Sequence, residues 1–64
     1  MVEQAHFVIY DTELKAYLFK GLRYAWTVNQ AHWFDTLVEA QASVTLETEV
    51  VKKISSIGTI MEEY

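Results

Sequence analysis

A run of aromatic and β-branched side chains at residues 6–10 (HFVIY) is the strongest local signal in the chain and predicts a β-strand. Alternation along such a strand would place Phe7 and Ile9 on one face and the other three residues on the opposite face. Both faces are then largely apolar, which is typical of a central strand covered on two sides. We therefore expect a sheet in which this strand is buried.

A hairpin is predicted to follow this strand. Residues 11–13 are polar and suit a turn, and residues 16–20 form a second alternating run. Gly21 interrupts that run, and an isolated glycine in a strand often marks a bulge. Beyond it, Tyr24 and Trp26 alternate with charged or small residues, which indicates a continuation of the second strand or a short third strand.

A helix is predicted after a polar connection at residues 27–31, where one helical turn could be capped by Thr27 or Asn29. Residues 32–34 suit a short strand or an apolar plug against the sheet. Thr36 and Glu39 then match a capping box, so we expect a helix to begin at residue 37. The predicted helical face consists of Leu37, Ala40, Gln41 and Val44.

Two periodicities compete in the C-terminal third. Residues 44–50 alternate as in a strand, whereas a longer helical pattern places apolar residues at Leu46, Val50, Ile54, Ile57, Met61 and Tyr64. The longer pattern favours a second helix over residues 48–56, ended by Gly58, with residues 59–61 as a final strand. The predicted fold class is α+β, a single domain over residues 1–64. It has a small antiparallel sheet of two to four strands, with an N-terminal hairpin, packed against one or two helices.

The size of the chain limits its stability. Its 64 residues include no cysteine and only two histidines, so disulfides and thiolate sites are excluded and neither a metal nor a cofactor is expected. A domain this small buries only roughly 60% of the surface of its unfolded chain, and a second subunit would add stabilising area. We expect a homodimer with an aromatic interface drawn from Tyr17, Phe19, Tyr24 or Trp26.

The net charge of −4 lies entirely in residues 35–64, which hold six acidic residues and two lysines. Such a surface disfavours phosphate backbones, so nucleic acid is an unlikely partner, and it favours a protein with a basic surface. No apolar stretch approaches the ~20 residues of a membrane span, and no signal peptide is recognisable. We therefore expect a cytoplasmic protein that does not contact membranes.

No catalytic motif is present: the sequence lacks a glycine-rich phosphate loop, an HExxH pair and a nucleophile elbow. The favoured hypothesis is a non-enzymatic protein-binding module. Its predicted binding residues are three aromatic anchors and two acidic rim residues: Tyr24, Trp26, Trp33, Glu47 and Glu49. Two alternatives stay open: a small oligomer that binds a nucleotide-like ligand through aromatic residues with Lys20 and Arg23, and a single-strand nucleic-acid binder.

The order of these features resembles small, mostly uncharacterised proteins encoded by phages and mobile elements. The resemblance covers residues 7–42 and rests on the hairpin, the Trp26-Thr27 turn and the helix start from Thr36 to Glu39-Ala40. It implies a phage or prophage origin, and with it an inhibitor that occludes a host enzyme or defence factor. It carries over no functional residues.

Overall fold

The computed structural model describes residues 4–20 and 23–64. One antiparallel sheet has the order β3-β2-β1-β4-β5. Its strands are β1 (His6–Asp11), β2 (Ala16–Lys20), β3 (Arg23–Ala25), β4 (Glu49–Ile54) and β5 (Ile60–Glu63). A 3-10 turn (Val28–Gln30) and the helix α1 (Leu37–Ser43) lie between β3 and β4. The α+β class is confirmed, but the sheet has five strands where two to four were predicted.

The strand β1 lies at the centre of the sheet, as its two apolar faces predict. Val8 and Ile9 point to opposite faces and are both fully buried. On one face Ile9 forms the core with Ala40 of α1 and Val51 of β4. On the other face the ring of Trp33 lies against His6. Both sides of the central strand are therefore covered.

Residues 32–34 fill a gap between β1 and β2. The hairpin pairs residues only near its turn, at Tyr10 with Tyr17 and at Asp11 with Ala16. Where the two strands separate, Phe34 exchanges two backbone hydrogen bonds with Phe7, of 2.9 and 2.7 Å, and the His32 amide donates to the Leu18 carbonyl. The expected short strand is therefore an isolated bridge that completes the sheet.

The helix α1 begins where the capping box predicts. The Thr36 hydroxyl accepts a hydrogen bond from the Glu39 amide at 3.1 Å, which satisfies one of the free amides at the helix start. Ala40 is fully buried, and Leu37 and Val44 pack against the core, whereas Gln41 is exposed. Three of the four residues predicted to share the inner face therefore do so.

The second helix predicted over residues 48–56 is wrong, because this segment forms β4. Six consecutive residues of β4 pair with β1, including Val51 opposite Ile9 and Lys52 opposite Val8. The β-branched side chains of Val50, Val51 and Ile54 suit a half-buried strand. Pairing with the apolar central strand satisfies their backbone groups and buries Val51 and Ile54. The local helical periodicity is overridden by this long-range pairing.

Gly58 lies in the turn between β4 and β5 and does not end a helix. Its φ of 89° is a conformation that residues with a side chain rarely adopt. A Cβ atom there would lie 2.6 Å from Asn29 Oδ1, so a side chain at this position would also displace the Asn29 side chain. The predicted final strand is present as β5, at slightly later bounds than residues 59–61.

The remaining local predictions concern the segment from β2 to the 3-10 turn. The short third strand is present as β3, and the residue pairing between β2 and β3 shifts between Leu18 and Lys20. Gly21, where the bulge was predicted, lies outside the described residues. The 3-10 turn follows Thr27, whose side chain forms no capping hydrogen bond. In the part of the chain that the structure describes, no helix has the length and hydropathy of a membrane span.

Candidate functional site

A concavity of about 410 Å³ lies beside the edge strand β3. Its lining is mostly aromatic and consists of Phe19, Tyr24, Ala25, Trp26 and Gln30. These five residues form what we call the aromatic groove. Trp26 is 78% exposed and Phe19 is 44% exposed, so two large rings face solvent at its rim.

A bulge in β2 leaves Phe19 at this surface. Leu18 pairs with Tyr24 and Lys20 pairs with Arg23, so Phe19 has no partner residue on β3. An extra residue of this kind bends the strand and re-aims its side chain. The bulge therefore places the Phe19 ring in the aromatic groove with the rings of β3 and the following turn.

Tyr24 is the rigid wall of the aromatic groove. Its hydroxyl donates to Glu49 Oε2 at 3.1 Å, which ties the half-buried ring to the start of β4. Desolvation, reinforced by the hydrogen bond to Glu49 and by the charges of Glu49 and Asp11, raises the pKa of the Tyr24 phenol above its ordinary value. The hydroxyl thus stays a neutral donor, and the ring is held in one orientation.

Two basic residues directly adjoin the groove residues Phe19 and Tyr24 along β2 and β3. Lys20 and Arg23 are opposite each other in the β2–β3 register, and both are exposed. Within residues 4–20 and 23–64, Lys52 forms an ion pair with Glu63, and His6 Nε2 lies 3.7 Å from Asp35 Oδ1; neither contact involves Lys20 or Arg23. Among these residues the two cations thus have no acidic partner, although the chain as a whole is acidic.

The structure brings together two of the three predicted aromatic anchors. Tyr24 and Trp26 both line the aromatic groove. Trp33 lies elsewhere: its Nε1 donates to the Val28 carbonyl at 2.9 Å, and its ring centroid is 5.3 Å from that of His6. Trp33 thus packs against His6 and does not line the groove.

The two predicted acidic residues do not border the aromatic groove. Glu49 is only 7% exposed, and its Oε1 accepts hydrogen bonds from the Thr45 and Leu46 amides at 2.8 and 3.1 Å. Glu47 is exposed and lines a second concavity of about 430 Å³ with Asp11, Glu13, Leu14, Leu46 and Thr48. The residues that adjoin the groove in the sheet, Lys20 and Arg23, are therefore basic, whereas an acidic rim is the prediction from sequence.

Asp11 is a second buried carboxylate, which sequence reasoning did not single out. Its Oδ1 accepts from the Glu13 and Leu14 amides, and its Oδ2 accepts from the Thr48 hydroxyl. The hydrogen bond from Leu14 is the main reason why the pKa of Asp11 lies below its ordinary value. An acidic residue at a strand end, followed by a polar turn, is the sequence signal that could have identified this role.

The buried carboxylates do not form a catalytic or metal-binding arrangement. Asp11 and Glu49 are opposite each other in the β1–β4 register, but the oxygens of both are engaged with amides and hydroxyls of the surrounding loops. Within the described ranges, no three side chains of the metal-ligating types lie close enough together to hold an ion. Both carboxylates therefore fix loops. The aromatic groove is the candidate site because of its exposed aromatic rings.

The groove is thus a small, open surface with two exposed aromatic rings, a fixed tyrosine and two cations beside an edge strand. Such features suit recognition by stacking, apolar contact and charge. The chain was compared with models of known protein families, with curated proteins and with solved structures, and none of them matches it.

Proposed function

We propose that this chain is a non-enzymatic protein-binding module and that the aromatic groove is its docking surface. The observation that carries this proposal is the exposure of Trp26 beside Phe19 at the rim of a concavity on an edge strand. When a partner covers exposed aromatic rings, a large apolar area is removed from contact with water. Aromatic residues accordingly dominate interface energetics. Tyr24, fixed through Glu49, supplies a preorganised wall.

The resemblance of residues 7–42 to small phage and mobile-element proteins supports a more specific proposal. Under it, the partner is a host enzyme or defence factor in the cytoplasm, and the effect is inhibition by occlusion. An aromatic groove adjoined by two basic residues, on an acidic chain, would orient such a partner through charge as well as apolar contact.

A nucleotide-like ligand is the second candidate, and the pairing of Lys20 with Arg23 beside the aromatic groove is the observation that favours it. Aromatic rings can stack on a base while the cations contact phosphates. A set of nucleotides tested by thermal shift separates the two candidates. A rise in the melting temperature that Trp26→Ala abolishes would favour the ligand over the protein.

Trp26→Ala is expected to weaken partner binding by about thirtyfold or more, because truncation of an aromatic anchor commonly costs about 2 kcal/mol or more. The measurement is recovery of the partner on immobilised chain, with folding of each variant checked by circular dichroism. Val38→Ala is the matched control, since Val38 is a similarly exposed apolar residue (74%) on α1. Equal recovery by Trp26→Ala and by the unmodified chain would contradict the proposal.

The homodimer belongs to the same proposal. Two copies that cover each other's aromatic groove would bring together like charges from Lys20 and Arg23, which repel. We therefore expect a weak dimer, whose light-scattering mass rises towards twice 7.4 kDa as protein and salt concentrations increase. Trp26→Ala should remain monomeric. A dimer unaffected by that variant would place the interface elsewhere.

Among the four residues predicted for the dimer interface, Tyr17 contributes least, because its ring already packs on Tyr10.

A further inference from the structure

We propose that the aromatic groove takes an extended, acidic segment of the partner, which adds to β3 as a sixth strand of the sheet. This inference rests on the proposed function and names the chemistry of the partner. Three features carry it: the free edge of β3, the spacing of the exposed rings, and the two cations beside them.

The first feature is the free edge of β3. In the sheet order β3 has a strand neighbour on one side only, namely β2. Over the residues that the structure describes, no backbone hydrogen bond joins β3 to a segment outside the sheet. The helix α1 packs mainly on β1 and β4. An edge of this kind presents amides and carbonyls to which an extended chain can pair.

The second feature is the side-chain surface along that edge. A strand added to β3 would direct alternate side chains to one face of the sheet. The exposed rings of Phe19 and Trp26, with Tyr24 between them and β4, offer an apolar site for one such side chain. In strand addition the backbone supplies much of the affinity, and pockets of this kind supply the specificity.

The third feature is charge. Lys20 and Arg23 are exposed, opposite each other and outside the ion pairs found in residues 4–20 and 23–64. Carboxylates on the added segment would pair with both cations. The net charge of −4 repels any long polyanion, so a nucleic acid that extends beyond these two cations is disfavoured. A short segment that carries one or two carboxylates needs only these two cations. The charges therefore favour a short acidic peptide over a long nucleic acid.

The opposite edge of the sheet provides a built-in comparison. β5 is also an edge strand with exposed apolar side chains, Ile60 and Met61, but it carries Glu62 and Glu63. An acidic segment should avoid β5, because like charges on adjacent strands are destabilising. Variants at β5 are therefore matched controls for variants at β3.

The experiment is selection of random short peptides, displayed as a library, on the immobilised chain. We expect the enriched sequences to combine Asp or Glu with aliphatic or aromatic residues in an extended pattern. Trp26→Ala should lower the affinity of an enriched synthetic peptide at least about tenfold, Phe19→Ala should lower it less, and Met61→Ala should leave it unchanged. Lys20→Glu with Arg23→Glu should switch the enriched sequences from acidic to basic.

Backbone pairing has its own readout. Hydrogen exchange of the amides in β3 should slow when the synthetic peptide binds, while exchange in β5 should not change. Faster or unaltered exchange in β3 would overturn strand addition. Enrichment of basic or uncharged peptides, or tighter binding of an oligothymidylate than of any selected peptide, would overturn the acidic segment.

Failure of this inference can be told apart from failure of the proposed function. If no acidic peptide is enriched but partner recovery still depends on Trp26, the aromatic groove binds a protein in another way. If neither peptide binding nor partner recovery depends on Trp26, the groove is not a docking surface and both proposals fail.

Discussion

Glu49→Ala is expected to lower the free energy of unfolding by about 3 kcal/mol. The Glu49 carboxylate accepts hydrogen bonds from the Thr45 and Leu46 amides and from the Tyr24 hydroxyl. A buried donor left unpaired costs roughly 1–3 kcal/mol. The three donors that lose their acceptor in this variant are only part-buried, so each is counted at the lower end of that range. A domain of this size derives only ~3–5 kcal/mol from its core, so the variant should retain at most about 2 kcal/mol of stability.

Two further variants make this expectation specific. Glu49→Gln keeps one carbonyl oxygen for the amides and should lose less than half as much. Glu47→Ala removes an exposed carboxylate two residues away and should leave stability within about 0.5 kcal/mol of the unmodified chain. The urea concentrations at the midpoint of unfolding measure the stability of all three variants. A loss for Glu49→Ala no larger than that for Glu47→Ala would contradict the structural role of the buried carboxylate.

The elements with strong local signals are the ones that sequence predicts well. The run at residues 6–10 is apolar on both faces, and it forms the central strand. The Thr36–Glu39 capping box starts α1 because its hydrogen bond joins residues three apart. Such signals do not depend on distant parts of the chain, so they survive folding.

The C-terminal third could not be decided locally. Val50 and Ile54 fit a helical face as well as they fit a strand, since they are four positions apart. β4 exists because it pairs with β1, roughly 40 residues earlier in the chain, where Val8 and Ile9 require neighbours on both sides. Long-range pairing of this kind leaves no trace in a window of a few residues.

The candidate site is predictable from sequence only in part, because burial depends on long-range packing. Tyr24 and Trp26 are two residues apart, so adjacency alone places them at one surface. Trp33 and Glu49 were grouped with them by residue type, although burial and hydrogen bonding assign both to internal packing. Burial depends on which elements pack together, and only the structure shows that Phe19 completes the groove through a bulge in β2.

Acid is expected to destabilise the fold through Asp11, and Asp11→Asn should remove part of that effect. The amides of Leu14 and Glu13 and the Thr48 hydroxyl hold the pKa of the folded-state carboxyl below its ordinary value of 3.8, against the opposing effect of burial. The unfolded chain therefore binds this proton first as the pH falls. The stabilisation is fully present above the ordinary pKa and is lost as the pH falls through the lower pKa of the folded state.

Urea unfolding from about pH 6 to about pH 2 should show a shallower loss of stability for Asp11→Asn than for the unmodified chain. The variant keeps a carbonyl oxygen for the turn amides, so it should still fold near neutral pH. Glu13→Gln, at an exposed carboxylate in the same turn, is the control and should follow the unmodified chain more closely. Identical slopes for Asp11→Asn and the unmodified chain would show that the buried carboxylate does not govern the acid transition.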